Sequence, residues 1–446
     1  MVWVTVALDM VGFGIMLPVL PLYAEEFGAS PAVAAAVLAV FSAAQMVAAP
    51  LWGRLSDRVG RKPVLVAALV GSSLGSLVTG LAGALWVLFL GRVLDGASGS
   101  SYAVGQAAVA DLAEPEDRPR LLGLLAAAFG VGFVAGPLIG SIAALGSREL
   151  PFFVAAALAA GNALVALVRL PAGRPAPTGA PGLRTGGLAS WGSAGPAVRR
   201  LAGLAMVAMV GFAGFEATFA LLVERRFPEV GDPTIYGLFA SIGLMMVFVQ
   251  ARIVGPANAR LGTRPTLRTS LALVAAGMVV LAAGGGWFGL AVAVVLLVTG
   301  QGVFGPTLSN ATVETVPIEG RGAALGLQQG AGASGRILGP LLAGLLFDRV
   351  GVEAPYLVAA ALAVAAIARG RDSDAGVILD RPIQGSVTRL LPRGGPGARR
   401  PSSTSSSSSA LPWYPERSSS LASSWLGTNA AQVCQKAFRL TPRRSC

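Results

Sequence analysis

Histidine is absent from this 446-residue chain. That absence removes the side chain most often used for proton relays and for metal ligation. Cysteine is nearly absent too. Cys434 and Cys446 both sit close to the C-terminal end, so neither a disulfide framework nor a Cys-x-x-Cys metal site is supported. Charge is scarce, at 13% of residues, where a soluble domain usually carries about 25%. A Gly-x-x-x-x-Gly-Lys-Ser/Thr phosphate loop is missing, which argues against an ATP-driven machine. Gly300-x-Gly302-x-x-Gly305 and Gly330-x-Gly332-x-x-Gly335 fit a dinucleotide-type glycine pattern. Neither follows a strand, so neither is expected to bind a nucleotide.

Apolar sequence is what the chain has in quantity. It is 54% apolar, with a mean hydropathy of +0.68. Runs of roughly 20 apolar residues recur, each long enough to span the hydrocarbon core of a bilayer. Twelve such segments are expected, at roughly 2–23, 31–52, 63–82, 84–108, 121–145, 151–170, 201–223, 234–257, 265–283, 287–309, 323–346 and 354–368. The class is a polytopic, all-α membrane protein. Interspersed Gly and Pro are compatible with membrane helices. The first apolar run follows Met1 directly, lacks a basic stretch before it, and is expected to remain as helix 1 rather than be cleaved.

The formal net charge of +12 invites a nucleic-acid reading, but its distribution argues against one. Twelve cations against four carboxylates after Ala368 account for a net +8, and the remainder lies in loops. A membrane surface is the expected partner, and nucleic acid is not. Loops 2–3, 4–5, 6–7, 8–9 and 10–11 hold far more Arg and Lys than the alternate loops. The positive-inside rule then places both termini in the cytoplasm. Asn310-Ala311-Thr312 fits a glycosylation acceptor but falls on the cytoplasmic side of this topology.

The two halves of the chain repeat. Gly53, Arg58, Gly60, Lys62 and Pro63 recur at an offset of 202 as Gly255, Arg260, Gly262, Arg264 and Pro265. Asp111, Arg118, Gly123, Gly136 and Pro137 recur at an offset of 203 as Glu314, Arg321, Gly326, Gly339 and Pro340. A near-constant offset points to duplication. The expected organisation is an N-terminal six-helix bundle (1–170), a cytoplasmic linker rich in Gly, Pro and Arg (171–200), a C-terminal six-helix bundle (201–368) and a low-complexity tail (369–446). Segment 6 reads PFFVAAALAAGNALVALVRL, whereas segment 12 starts PYLVAAALAVAAIA and then turns into RGRDSDAG. Two readings stand open: a shift of reading frame near Ala368, or a short twelfth helix with a disordered cytoplasmic tail.

The stretch GRLSDRVGRKPVL, from Gly53 to Leu65, joins the second and third apolar runs. Its order is Gly53, then Asp57, Arg58, Gly60, and the basic pair Arg61 and Lys62. This loop resembles the signature loop of major facilitator superfamily transporters. The resemblance implies two six-helix bundles related by a pseudo-two-fold axis, with a substrate site between them near the midplane. It also implies that the loop latches conformational states. Read from the residues alone, the glycines allow a tight turn, and Asp57 either caps the third helix or accepts a bond from an arginine. A plain topogenic basic loop is the alternative. In the second copy Ala259 replaces the aspartate, which implies a weaker latch.

Other helices narrow the resemblance to the twelve-helix drug:proton antiporter branch. ALDMVGFGIMLPVLPLY places Asp9 inside helix 1, at a position that the branch uses for proton or substrate coupling; an interfacial Asp reaching the surface is the alternative. FLGRVLDGASGSS carries Arg92, which matches the helix-4 arginine associated with proton transfer. Asp95, one turn on, departs from the family and is either a second proton site or a neutralising partner. Gly132, Gly136 and Gly140 with Pro137 resemble the antiporter motif, and their spacing also suits close helix packing. Glu216 and Arg336, on helices 7 and 11, are expected to pair. Three intramembrane acids then face two arginines, leaving one carboxylate in surplus for proton exchange. Gln106, Gln250, Gln301, Gln328 and Gln329 are candidate substrate contacts, with helix–helix bonds as the alternative.

The function expected from these residues is proton-coupled export of a small, amphipathic compound, a drug or a metabolite, by alternating access, with no enzymatic step. Uptake or facilitated diffusion of a metabolite is the alternative, and a non-functional frameshifted product a further one. The expected partners are a small-molecule substrate, protons and the lipid bilayer. The protein is expected to be a monomer in the inner membrane, driven by a proton gradient, with neither cofactor nor metal.

Overall fold

The fold was analysed in a computed structural model, which describes residues 2–99, 101, 104, 105, 108, 109, 118–170, 191, 192, 194–317 and 320–372. The described residues are overwhelmingly helical, and among them there is no strand. The helices are α1 (Val2–Met16), α2 (Leu20–Glu26), α3 (Pro31–Val59), α4 (Arg61–Gly80), α5 (Leu85–Ser98), α6 (Arg118–Ala144), α7 (Leu150–Arg169), α8 (Pro196–Arg226), α9 (Asp232–Arg252), α10 (Val254–Leu261), α11 (Thr263–Ala283), α12 (Gly286–Glu314), α13 (Arg321–Arg349) and α14 (Ala354–Asp372). Among the described residues, eight helices are long and apolar enough to cross a bilayer, or nine if α1 and α2 count as one bent span. The remaining apolar segments of the sequence fall on α5, α6 and α14. The expected all-α polytopic fold is the observed one.

Local chemistry explains the breaks. Pro18 cannot donate a backbone hydrogen bond and follows the end of α1, so the first span breaks and bends by 42° before α2. Pro31 and Pro196 sit in the first turn of α3 and α8, where a missing N–H costs nothing. Gly60 separates α3 from α4 at φ 103°, and Gly262 separates α10 from α11 at φ 79°. Only glycine adopts these conformations freely, so the sequence repeat is also a repeat of backbone geometry. The Gly53 stretch is therefore mostly helix. α3 continues to Val59, and a single residue makes the turn.

Helices in a bilayer gain nothing from hiding apolar surface from lipid, so close backbone packing has to hold them together. The glycines of α6 supply that closeness against α1. A β-carbon on Gly132 would lie 2.5 Å from the Met10 carbonyl oxygen; one on Gly136 would lie 2.6 Å from Gly14, and one on Gly140 would collide with the Ile15 carbonyl oxygen. The second half repeats this contact between α13 and α8. There Gly335 meets Met206 and Gly339 meets Val210 at 2.7 and 2.5 Å by the same measure.

The hydrophobic core is asymmetric along the bundle axis. At the end remote from the Gly53 turn, a single apolar cluster draws on both halves of the chain. It joins Ile15 to Ala24 of the first span, Phe152 of α7, Phe215 to Val223 of α8, Tyr236 of α9 and Phe347 of α13. At the Gly53 end the described apolar residues divide into four smaller clusters. Two lie wholly in the first half, around Leu65 and around Met10. Two lie wholly in the second, around Leu271 and around Leu327. Helix α3 shows the same change along its length: its buried positions run from Pro31 to Ser42, after which only Ser56 is buried. The halves therefore share a core at the remote end and part company toward the Gly53 end.

This packing predicts unequal effects for two glycines of similar sequence character. Gly136→Ala forces α6 away from α1 and is expected to cost roughly 1–3 kcal/mol. Gly53→Ala meets nothing within 4 Å and is expected to stay within about 0.5 kcal/mol of the parent. Thermal unfolding of the detergent-purified variants checks both; equal effects would contradict the packing.

Candidate functional site

Between the halves, below the shared core, lies a cavity of about 490 Å³, part of it its open mouth. Phe13, Met16, Leu17, Leu38 and Phe41 give it an apolar wall, with the Phe13 and Phe41 rings 5.2 Å apart. Ser42, Arg92, Glu216 and Arg336 supply the polar groups. Helices α1, α3, α5, α8 and α13 each contribute, so the cavity draws on both halves.

Arg92 reaches this site because glycines let α4 and α5 approach. A β-carbon on Gly75 would collide with the Asp95 backbone, and one on Gly91 with Thr79. The Arg92 guanidinium lies 3.1 Å from the Asp95 carboxylate, and the two side chains are 2% and 6% exposed. Arg92 also donates to the Thr79 hydroxyl at 3.1 Å and lies 5.9 Å from the centroid of the Phe41 ring. Ser72 donates a further hydrogen bond to Asp95. Asp95 is thus in ion-pair contact with Arg92. Glu216 and Arg336 both line the cavity and interact electrostatically.

Asp9 lies on α1, apart from the cavity wall. It accepts a hydrogen bond from the Ser101 hydroxyl, just beyond the point where the fourth span breaks at Gly99. Gln45 donates to the Gly99 carbonyl at 2.6 Å and Trp52 to the Ala97 carbonyl at 2.5 Å, so α3 satisfies backbone groups at that break. Among the described residues, Asp9 is met by a hydroxyl and not by a cation.

At the Gly53 turn, Asp57 lies in the last turn of α3 and does not cap α4, whose N-cap is Gly60 without a side-chain bond. The capping expectation is corrected because α3 extends further than its apolar pattern, carrying Asp57 inside the helix. Arg61 reaches back to Asp57 at 2.7 Å and to the Ser56 hydroxyl at 2.5 Å. Arg58 is exposed, Lys62 partly so, and Gly53 faces open space.

The described glutamines are not among the cavity-lining residues. Gln106 lies outside the described residues. Gln328 bonds Thr312 at 2.7 Å and Ser309 at 3.2 Å, linking α13 to α12. Gln250 and Gln329 are exposed, and Gln301 is half-buried. Sequence reasoning missed the apolar wall, because Phe13 and Phe41 look like any other membrane-helix residues until the halves are brought together. Only the recurrence of Phe13, Met16 and Leu17 about one turn apart on a helix with an intramembrane Asp pointed that way.

The Arg92–Asp95 pair is deeply buried, so removing one partner strands the other charge. Arg92→Met or Asp95→Leu alone is expected to destabilise the protein by about 3–5 kcal/mol, and the double variant Arg92→Met/Asp95→Leu to recover most of that loss. A double-mutant cycle on thermal unfolding checks this; additive losses would contradict a direct pair.

A family model described as Major Facilitator Superfamily matches residues 2–256 and 229–375. The chain is 32% identical over 351 residues to the class C tetracycline resistance protein of Escherichia coli, covering 76% of this chain and 86% of that protein. It is 27% identical over 351 residues to multidrug resistance protein 1 of Bacillus subtilis (strain 168), covering 78% and 89%. Its fold resembles that of the human organic anion transporter MFSD10 (TETRAN), with a TM-score of 0.63 at 23% identity over 82% of this chain and 97% of that one.

Proposed function

The chain belongs to the major facilitator superfamily, a family of membrane transporters rather than enzymes, and from that premise we propose that it exports a small amphipathic compound in exchange for protons. The observation that carries the proposal is the cavity. It joins an aromatic and aliphatic wall to a confined set of charges, and both halves contribute to it. An amphipathic molecule matches that lining, the apolar wall taking its body and the charged groups its polar edge. Similarity to proteins named for tetracycline and multidrug resistance supports outward transport of drug-like compounds.

The charges support coupling to protons. Arg92 is matched by Asp95, and Glu216 faces Arg336. Among the described residues, Asp9 has a hydroxyl partner, Ser101, in place of a cation. A carboxylate in a low-dielectric bundle that lacks a cation can exchange a proton at modest cost, whereas the paired groups resist it. In this reading Asp9 carries the proton, Arg92 and Asp95 set the field around it, and Glu216 with Arg336 meets the substrate. The helix packing of Gly132, Gly136, Pro137 and Gly140 against α1 keeps that first span rigid. The basic Gly53 turn faces the cytoplasm, with both termini on the same side. The cavity is then open toward the cytoplasm in this conformation and ready to take up substrate. Rocking of the halves releases substrate on the other side, where a proton is loaded in return.

Everted vesicles test the proposal. The parent protein is expected to accumulate a transported fluorescent drug under an imposed proton gradient and to release protons when drug is added. Asp9→Asn is expected to abolish gradient-driven transport while the protein stays inserted and still binds drug. Full gradient-driven transport by Asp9→Asn would reject the assignment.

A further inference from the structure

The end of the bundle remote from the Gly53 turn carries a second set of charges, which the transport reading does not use. Arg148 lies in the short connection between α6 and α7. Its guanidinium grips Asp232 with two hydrogen bonds, Nε to Oδ2 at 2.5 Å and Nη2 to Oδ1 at 2.9 Å. The same side chain reaches Glu26 at 3.0 Å and donates to the Leu22 carbonyl at 3.4 Å, both on α2. Tyr236 donates to Asp232 at 3.3 Å from the next turn of α9. Asp232 opens α9, where a carboxylate is favoured by the helix dipole. One arginine of the first half therefore ties its own bent span to the first turn of a helix from the second half. The bonds to Asp232 hold the Arg148 guanidinium protonated beyond its ordinary range.

We infer that the Arg148–Asp232 fork is an ionic bolt that holds the remote face of the bundle shut. Three features of its surroundings agree with that role. Arg148 and Asp232 are three-quarters buried, at 25% and 26% exposed, so the pair is screened less than a surface one. The bidentate geometry is the strong form of an arginine–carboxylate contact. The bolt also adjoins the apolar cluster that, among the described residues, the two halves share. The parallel contact, Arg225 to Glu25, is longer at 3.9 Å, and Arg225 is more exposed. Arg225 instead lies 4.8 Å from the centroid of the Phe347 ring. At the Gly53 end, Arg61 binds Asp57 of its own half. Opening the remote face requires Arg148 and Asp232 to separate, so the bolt sets how often that face opens.

The inference rests on the transporter reading only for naming the remote face as the outer one. Its test reads accessibility rather than transport. Cys434 and Cys446 are the only native cysteines; replacing both with Ser and adding Ser42→Cys places a single reactive thiol in the cavity. The probe is a membrane-impermeant maleimide, applied to right-side-out and to inverted vesicles. The parent is expected to label slowly from outside and quickly from inside. Arg148→Ala and Asp232→Asn are each expected to raise the outside rate several-fold, and the exchange Arg148→Asp/Asp232→Arg to bring it back toward the parent. Arg148→Lys, which keeps the charge but loses the fork, is expected to fall between. Labelling from inside confirms that each variant retains an intact cavity. Unchanged outside labelling in both single variants with intact inside labelling would overturn the bolt. A parent that labels quickly from outside and slowly from inside would overturn the topology instead, and the bolt is then judged by whether the variants raise labelling from the side the parent protects.

Discussion

A charge inside a helix bundle in lipid has few places to go, and this constraint organises the interior of the protein. Arg92 is tolerated because Asp95 lies one turn away; Arg92 also donates to Thr79, and Ser72 donates to Asp95. Glu216 and Arg336 come from opposite ends of the second half's sequence and interact at the cavity wall. The glycines of α4, α5, α6 and α13 serve the same end indirectly. By letting backbones approach, they leave room for only a few polar side chains, each of them confined. In the proposed reading, function resides in the departures from strict pairing, chiefly Asp9 and the charged edge of the cavity.

The second organising feature is asymmetry along the bundle axis. A shared apolar core and a bidentate ion pair join the halves at one end, while separate cores serve them at the other. A two-fold repeat in sequence has thus produced a conformation that is not symmetric from one face to the other. Rigid halves follow from the glycine contacts of α6 with α1 and of α13 with α8, since packing that close leaves little freedom within a half. In the proposed reading, movement is directed to the contact between halves, and the groups that cross it decide which face is open.

Much of this was legible from residue order. The apolar runs gave the helices, and the offset between Gly60 and Gly262 anticipated two turns with the same left-handed backbone. The spacing of Gly132, Gly136 and Gly140 pointed to close packing, although not to α1 as the partner. The extent of α3 was not legible, because Arg54, Asp57 and Arg58 interrupt the apolar pattern without interrupting the helix. The break at Pro18 was readable in principle, but proline in membrane helices is too common to mark a break by itself. The cavity wall and the Arg148–Asp232 contact were hidden for another reason. Their members lie far apart in the chain, and nothing local in Phe13, Phe41, Arg148 or Asp232 announces a partner.

In the proposed mechanism, one charged cavity is exposed to the two sides in turn by a movement between rigid halves. Spin-label distances test it most directly, with one pair at Arg58 and Arg260 on the Gly53 face and another at Glu149 and Glu229 on the remote face. When a transported drug or a proton gradient is supplied, the account predicts that the first distance shortens as the second lengthens, in the same fraction of molecules. Two distances that change in the same sense, or that both stay fixed in a protein shown to transport, would contradict it.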